Sequence, residues 1–165
     1  MTAKKNVAKS FISFAPFGSD DPEILIIGTA PGEKSLSCGE YYAGANNCFW
    51  EMIAEIYNGA KALTEDEKEE CLIKNKIALW DIYESGMRAG SADNNISNAQ
   101  IRNLEEYLRT HPNIKKIIFN GQNAYDVYKK MGIAGPQTIV AQSTSGQNTH
   151  HTKESKISMW RDCLK

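Results

Sequence analysis

No apolar run in this chain approaches the roughly 20 residues that a membrane-spanning helix needs. No signal peptide is visible at its start, so the expectation is a cytoplasmic or nucleoid-associated protein that is not secreted. The tripeptide Asn95-Ile96-Ser97 is therefore not read as a glycosylation acceptor. Excess charge of either sign is also missing. Nineteen Lys and Arg face 20 Asp and Glu, for a net charge of −1, so composition provides no broad face for a polyanion. That balance leaves room for a local patch drawn from Lys34, Lys153, Lys156 and Arg161. There is no C-x-x-C pair. Cys38, Cys48, Cys71 and Cys163 lie far apart, which suits reduced thiols and argues against an iron–sulfur cluster. The adjacent His150 and His151 do not converge on one ion without further ligands, so neither a metal nor a cofactor is expected. Internal repeats and low-complexity tracts are absent.

What is present is enough for one domain with a substantial core: 165 residues, 41% of them hydrophobic. Residues 1–22 read as an N-terminal arm with a basic start that packs Phe11, Phe14 and Phe17 on that domain before turning into the first strand. Ile24 to Gly28 is an apolar, β-branched run suited to a strand buried on both faces. After a long polar loop comes helical spacing at Phe49, Met52, Ile53 and Ile56, closed near Asn58-Gly59. Thr64 and Glu67 spell a capping box for a mostly charged, solvated helix to about Lys74. Ile77 to Tyr83 reads as a second strand and Gly86 to Ser97 as a polar loop. Ser97 and Gln100 spell another capping box, which predicts a helix through Ile101, Leu104 and Leu108 ended by Pro112.

Lys116 to Gly121 predicts a third strand. A helix bearing Ala124, Val127, Tyr128 and Met131 follows and closes at Gly132. Thr138 to Ala141 is a short fourth strand, Gln142 to Thr152 a loop, and Ile157, Trp160 and Leu164 mark a last helix. Strands alternating with helices predict a parallel sheet covered on both faces. The loops at Gly28, Asp81, Asn120 and Gln142 then share one edge, beyond the carboxyl ends of the strands, where open α/β sheets bind ligands.

The first of those loops comes close to a phosphate-cradling pattern. Gly28 to Ser35 reads GTAPGEKS, but its second Gly stands one place early. Glu33 would also set a carboxylate beside the phosphate, and Pro31 removes a backbone N–H. A small nucleotide-phosphate-binding protein is accordingly the weaker alternative.

A better match covers more of the chain. Gly28-Thr29-Ala30-Pro31-Gly32-Glu33-Lys34-Ser35-Leu36 and Tyr41-Tyr42-Ala43-Gly44-Ala45-Asn46-Asn47-Cys48-Phe49-Trp50 resemble G-S-x-P-G-x-x-S-L followed by Y-Y-A-H-P-x-N-x-F-W. That is the first motif of the uracil-DNA glycosylase superfamily, in its hypoxanthine-DNA (deoxyinosine) glycosylase branch. Phe119-Asn120-Gly121 followed by Ala124-Tyr125 is similar to the branch's F-N-G-x-x-A-Y, and Asp93 to Ile96 to its D-x-N-I. Ser143-Thr144-Ser145-Gly146-Gln147-Asn148 is similar to S-T-S-P-A-N. Two departures stand out: the family's His-Pro is Gly44-Ala45 here, and its Pro is Gly146.

The resemblance implies a three-layer α/β/α sandwich with a four-stranded, mainly parallel central sheet. It also implies a monofunctional glycosylase that hydrolyses the N-glycosidic bond of a deaminated base in base-excision repair. A base inside a duplex is unreachable, so such an enzyme extrudes it into a pocket that stacks the ring and reads its polar edge. Thr29, Ala30, Tyr42, Asp81 and Asn120 are the candidate base-binding residues. Tyr42 offers an aromatic face, while Tyr41 is as readily a packing residue.

Ala30 stands where some superfamily members carry a water-activating Asp or Asn, and Ser143 where others carry His. Catalysis is then expected from placed dipoles: Asn47 orienting the water, Asn120 and Ser143 stabilising the departing base. Helix capping by Asn47 and turn formation by Asn120 are the structural alternatives. Ser35, Ser143, Ser145, Gly146, Gln147, Asn148 and Lys153 are the candidate DNA contacts, through hydroxyls, backbone N–H groups and a helix N-terminus. The expected partner is damaged DNA bound by a monomer, with no membrane. A non-catalytic, lesion-binding domain of the same fold is the alternative from another class.

Overall fold

The computed structural model describes residues 7–59 and 62–165; residues 1–6 of the anticipated arm lie outside the described residues. Four strands form the heart of the fold: β3 (Ile24–Gly28), β4 (Ile77–Asp81), β7 (Lys116–Asn120) and β8 (Gln137–Ala141). They run parallel in the order β4-β3-β7-β8, with Ile26 opposite both Leu79 and Ile118. Their near-continuous apolar sequence follows from burial on both faces.

The arm adds two short strands, β1 (Lys9–Ile12) and β2 (Phe17–Gly18). β2 pairs antiparallel with β4, so the central sheet has five strands where four were expected. The fifth is two residues long and makes an antiparallel edge. A second, three-stranded antiparallel sheet is ordered β1-β5-β6, with β5 at Tyr83–Arg88 and β6 at Ser97–Ile101.

β6 corrects the reading of Ser97 and Gln100 as a helix start. Ser97 lies opposite Met87 and Gln100 opposite Ser85 across the ladder, and cross-strand pairing overrides the local capping signal. The helix begins later, as α4 (Leu104–Thr110), where the Asn103 side chain accepts the N–H of Glu106. The expected loop from Gly86 is likewise the end of β5, and a 3₁₀ turn spans Asp93–Asn95.

The remaining helices are α1 (Glu33–Cys38), α2 (Phe49–Asn58), α3 (Glu65–Lys74), α5 (Gln122–Met131) and α6 (Lys153–Cys163). α1 lies inside the stretch expected to be a plain loop. The capping box at Thr64 and Glu67 forms in full, and α2 and α5 both end on left-handed glycines, Gly59 and Gly132.

Alternation along β3 creates two cores. Ile26 faces Phe49, Met52, Ile53, Leu72 and Trp160 of α2, α3 and α6. Leu25 and Ile27 face Leu104, Tyr107, Ala124 and Tyr128 of α4 and α5. Helices therefore cover both faces, which gives the three layers. Each fully buried large side chain, such as Phe49 or Trp160, contributes about 3–5 kcal/mol against truncation to Ala. No helix among the described residues is long and apolar enough to cross a membrane.

Candidate active site

The carboxyl ends of β3, β4 and β7 stop together. Gly28 lies opposite Asp81, and Asn120 is one residue beyond the last β3–β7 pair. The chain leaves each strand there and opens a cleft of about 820 Å³. Its walls include Thr29, Ala30, Tyr42, Asn47, Asp81, Asn120, Ser143, Ser145, Gly146, Gln147 and Asn148. Segments more than 90 residues apart in sequence thus share one cavity (Asn47 against Ser143), because both follow strands of the same polarity.

The loop after β3 is held from beneath. Pro31 offers its carbonyl to Nη2 of the buried Arg88, and the backbone N–H of Glu33 donates to Ser91 Oγ at 3.0 Å. Ser35 is buried, with its Oγ accepting the N–H of Ala43 at 3.0 Å, so it braces this loop from inside. Tyr41 is buried too, donating its hydroxyl to the Ala15 carbonyl at 2.8 Å and packing edge-on against Phe14. Its own carbonyl accepts from Trp50 Nε1 at 2.7 Å.

Tyr42 lies at the centre. Its φ of 55° is left-handed, which for an aromatic residue costs on the order of 1–3 kcal/mol and persists only where the surroundings impose it. Its ring leans on Phe49 with centroids 4.2 Å apart, and its hydroxyl is buried without a hydrogen-bond partner among the described residues. Burial first, and the nearby Asp81 second, raise its pKa well above the ordinary phenol value. Gly28 allows this convergence. A Cβ there would stand 2.7 Å from Asp81 Oδ1 and 3.1 Å from the Tyr42 hydroxyl.

Asn47 sits just before α2, and its Oδ1 accepts the N–H of Phe49 at 3.0 Å. The capping alternative is thus realised on one lone pair; the other lone pair and the Nδ2 donors have no protein partner among the described residues. Asn120 donates from Nδ2 to Thr144 Oγ1 and accepts from the Thr144 N–H, both at 2.9 Å. Ser143 Oγ accepts the N–H of Ser145. Gly121, at φ 98°, lies against Ser143, where an added Cβ would be 3.2 Å from the serine Cβ.

Residues 143–148 form a loop pinned at several points. Thr144, which is fully buried, gives its carbonyl to the N–H of Cys48 at 3.1 Å, tying this loop to the one carrying Asn47. Lys156 is only 5% exposed and donates to the carbonyls of Ser145 and Asn148. It supports the loop instead of joining a surface patch. Asn148 turns inward, with Nδ2 donating to the Ser143 carbonyl, while Gln147 is exposed. Lys153 lies outside the cleft lining, paired with Glu51 at 2.9 Å, and Arg161 pairs with Glu55 at 3.6 Å. Of the four cations considered from sequence, Lys34 is the one in the cleft wall.

Sequence reasoning missed Thr144 and Lys156 as organisers, and Ser91 and Asn123 as further lining residues. Thr144 stood inside the recognised S-T-S motif, but nothing local marks it as wholly buried. Among the described residues no cluster of His, Cys, Asp or Glu is arranged to hold a metal ion.

A parallel sheet with a polar cleft across its carboxyl edge, closed by two mutually bonded loops rich in Asn, Ser and Tyr, is in this chain the framework of a DNA glycosylase, the class to which its relatives belong. The chain belongs to the uracil DNA glycosylase superfamily, whose family model matches residues 15–164. It is 31% identical over 153 residues to the hypoxanthine DNA glycosylase of Methanosarcina barkeri strain Fusaro, covering 92% of this chain and 96% of that protein. It is also 30% identical over 142 residues to the hypoxanthine DNA glycosylase of Methanosarcina acetivorans, covering 86% of this chain and 89% of that protein. A solution NMR structure from M. acetivorans, named a candidate uracil DNA glycosylase, superposes with a TM-score of 0.78 at 28% identity over 94% of this chain and 97% of that one.

Proposed function

We propose that this chain hydrolyses the N-glycosidic bond of a deaminated base, hypoxanthine or uracil, turned out of damaged DNA, in base-excision repair. The observation that carries this reading is the convergence of Asn47, Asp81, Asn120 and Ser143 on one cleft of a size suited to a nucleotide. Thr29, Ala30, Tyr42 and Asp81 form the base-binding end. Asn47, with one oxygen lone pair and both amide hydrogens free of protein partners, orients the attacking water.

The sugar gains positive character as the bond breaks and the base leaves as an anion, so dipoles placed at the two ends lower the barrier without a strong base. Ser143 supplies a hydroxyl to the leaving group, and Asn120 acts through Thr144, which it holds by two hydrogen bonds. The exposed Gln147 and the backbone of Ser145 and Gly146 face the duplex, and Asn148 and Ser35 shape the loops that do so.

The test is a panel of labelled duplexes with deoxyinosine, uracil or xanthine opposite each normal base, followed by alkaline scission of abasic sites. Scission at deoxyinosine or uracil is the expected result. Asn47→Ala is expected to reduce it about 10²–10³-fold while lesion binding persists. Lesion binding by the wild-type chain with no scission at any duplex would replace the enzyme by a lesion-binding domain.

A further inference from the structure

The floor of the cleft holds a carboxyl group without a positive partner. Asp81 is 3% exposed, its Oδ2 has no hydrogen-bond partner, and no ion pair joins it to a lysine or arginine among the described residues. The two guanidinium groups nearest in charge are turned elsewhere. Arg102 donates to the Phe14 carbonyl and lies over the Trp80 ring at 4.8 Å; Arg88 donates to the Pro31 carbonyl and lies over the Phe11 ring at 5.2 Å. Beside Asp81 stands the equally unpaired hydroxyl of Tyr42, and the two meet at the space left by Gly28. Two adjacent buried polar groups left open in this way are destabilising unless a ligand or water meets them.

We propose that Asp81 reads the extruded base as a carboxylic acid, its O–H donating to the exocyclic oxygen of a lactam edge while its carbonyl oxygen accepts from the adjacent ring N–H. This deepens the glycosylase reading and rests on it. A neutral carboxyl presents one donor and one acceptor side by side, as an amide does, and a lactam presents the complement: N1–H beside C6=O in hypoxanthine, N3–H beside C4=O in uracil. As the glycosidic bond breaks, its electron pair stays with the ring and negative charge spreads onto that exocyclic oxygen, so the O–H···O bond strengthens along the reaction. Adenine and cytosine carry an amino group where the oxygen stands, and there the hydroxyl meets no developing oxyanion. An ionised Asp81 has only acceptors to offer and places a second negative charge beside the leaving anion.

The surroundings favour the neutral form. Burial is the largest influence and pushes the pKa up to about 7; Arg102, beyond β6, pulls it down, Asp93 in the 3₁₀ turn pushes it up, and Arg88 on β5 pulls it down. Tyr42 and Tyr41, the other titratable groups close to Asp81 in the cleft, stay neutral phenols because burial first and Asp81 second raise their pKa values.

The experiment is single-turnover scission of a deoxyinosine duplex between pH 5.5 and 9, paired with binding of a duplex carrying uncleavable 2′-fluoro-deoxyinosine over the same range. The wild-type rate is expected to fall about tenfold per pH unit above about 7, with lesion affinity weakening in parallel. Asp81→Asn keeps a donor and an acceptor but does not titrate; it is expected to act about tenfold more slowly at pH 6 and to show no fall above 7. A wild-type profile that is flat or rises above pH 7, or an Asp81→Asn profile that keeps the fall, overturns the proposal. Absence of scission by wild type at every pH defeats the glycosylase reading for hypoxanthine alone. The binding arm then decides Asp81 by itself: lesion affinity that tightens below pH 7 in wild type but not in Asp81→Asn upholds its role, and pH-independent affinity in both removes it.

Discussion

Asn120 and Thr144 are joined by two hydrogen bonds that run in opposite directions, Nδ2 to Oγ1 and backbone N–H to Oδ1, each 2.9 Å long. One end sits on the last residue of β7 and the other in the loop after β8, so a sheet strand dictates where Ser143 and Ser145 stand. Thr144→Val keeps the volume but strands the Asn120 amide in a buried site. The expected result is a loss of about 1–3 kcal/mol in urea denaturation, with a lower rate of base release. Asn120→Ala should cost a similar amount by stranding the Thr144 N–H, and the two effects should be strongly non-additive in a double-mutant cycle.

Asp81 also makes stability depend on pH. Its folded pKa, about 7, lies above the ordinary value of 3.8, so the folded state holds the proton more tightly than the unfolded chain. The associated stability is fully present below about pH 4 and is lost as pH rises through 7, a span on the order of 4 kcal/mol. Asp81→Asn, which never ionises, should therefore melt at a higher temperature than wild type at pH 8 and lose that advantage at pH 4.5. Thermal unfolding of both proteins at the two pH values measures it.

Gly146 touches the loop that carries Asn47. A Cβ at this position would stand 2.4 Å from the Cβ of Asn46 and 3.0 Å from its carbonyl oxygen, a contact that forces one loop to move. Gly146→Ala should destabilise by about 1–3 kcal/mol and slow base release, and Asn46→Gly should recover part of both. The family's Pro at this position should be tolerated no better than Ala.

The lysines at the start of α6 should behave oppositely. Lys156→Met removes the two hydrogen bonds that hold the carbonyls of Ser145 and Asn148 and is expected to destabilise by about 2 kcal/mol or more, visible in urea denaturation. Lys153→Ala loses an exposed pair with Glu51 and should change stability by less than about 1 kcal/mol. If Lys153 meets a phosphate, that variant weakens DNA binding and lowers the salt dependence of log Kd by about one; an unchanged slope removes it from the interface.

Much of the fold was legible because it is written locally. The apolar runs at Ile24, Ile77 and Lys116 can be buried on both faces only in a covered parallel sheet, and Thr64, Gly59 and Gly132 mark helix ends by their own chemistry. The polarity of those strands also foretold that their end loops meet at one edge. Where two local signals competed, as at Ser97 to Ile101, the partner strand β5 decided, and spelling alone could not.

The sequence by itself therefore determined the layered sheet, the edge at which its cleft opens, and the motifs that mark the family. Tertiary structure decided which polar residues face the cleft and which are consumed in holding it open: Ser35, Thr144 and Lys156 are bonded inward, whereas the Asp81 carboxyl and the Tyr42 hydroxyl are left open. Burial and unpaired hydrogen-bonding capacity depend on neighbours distant along the chain, and those neighbours are fixed only when the strands have come together.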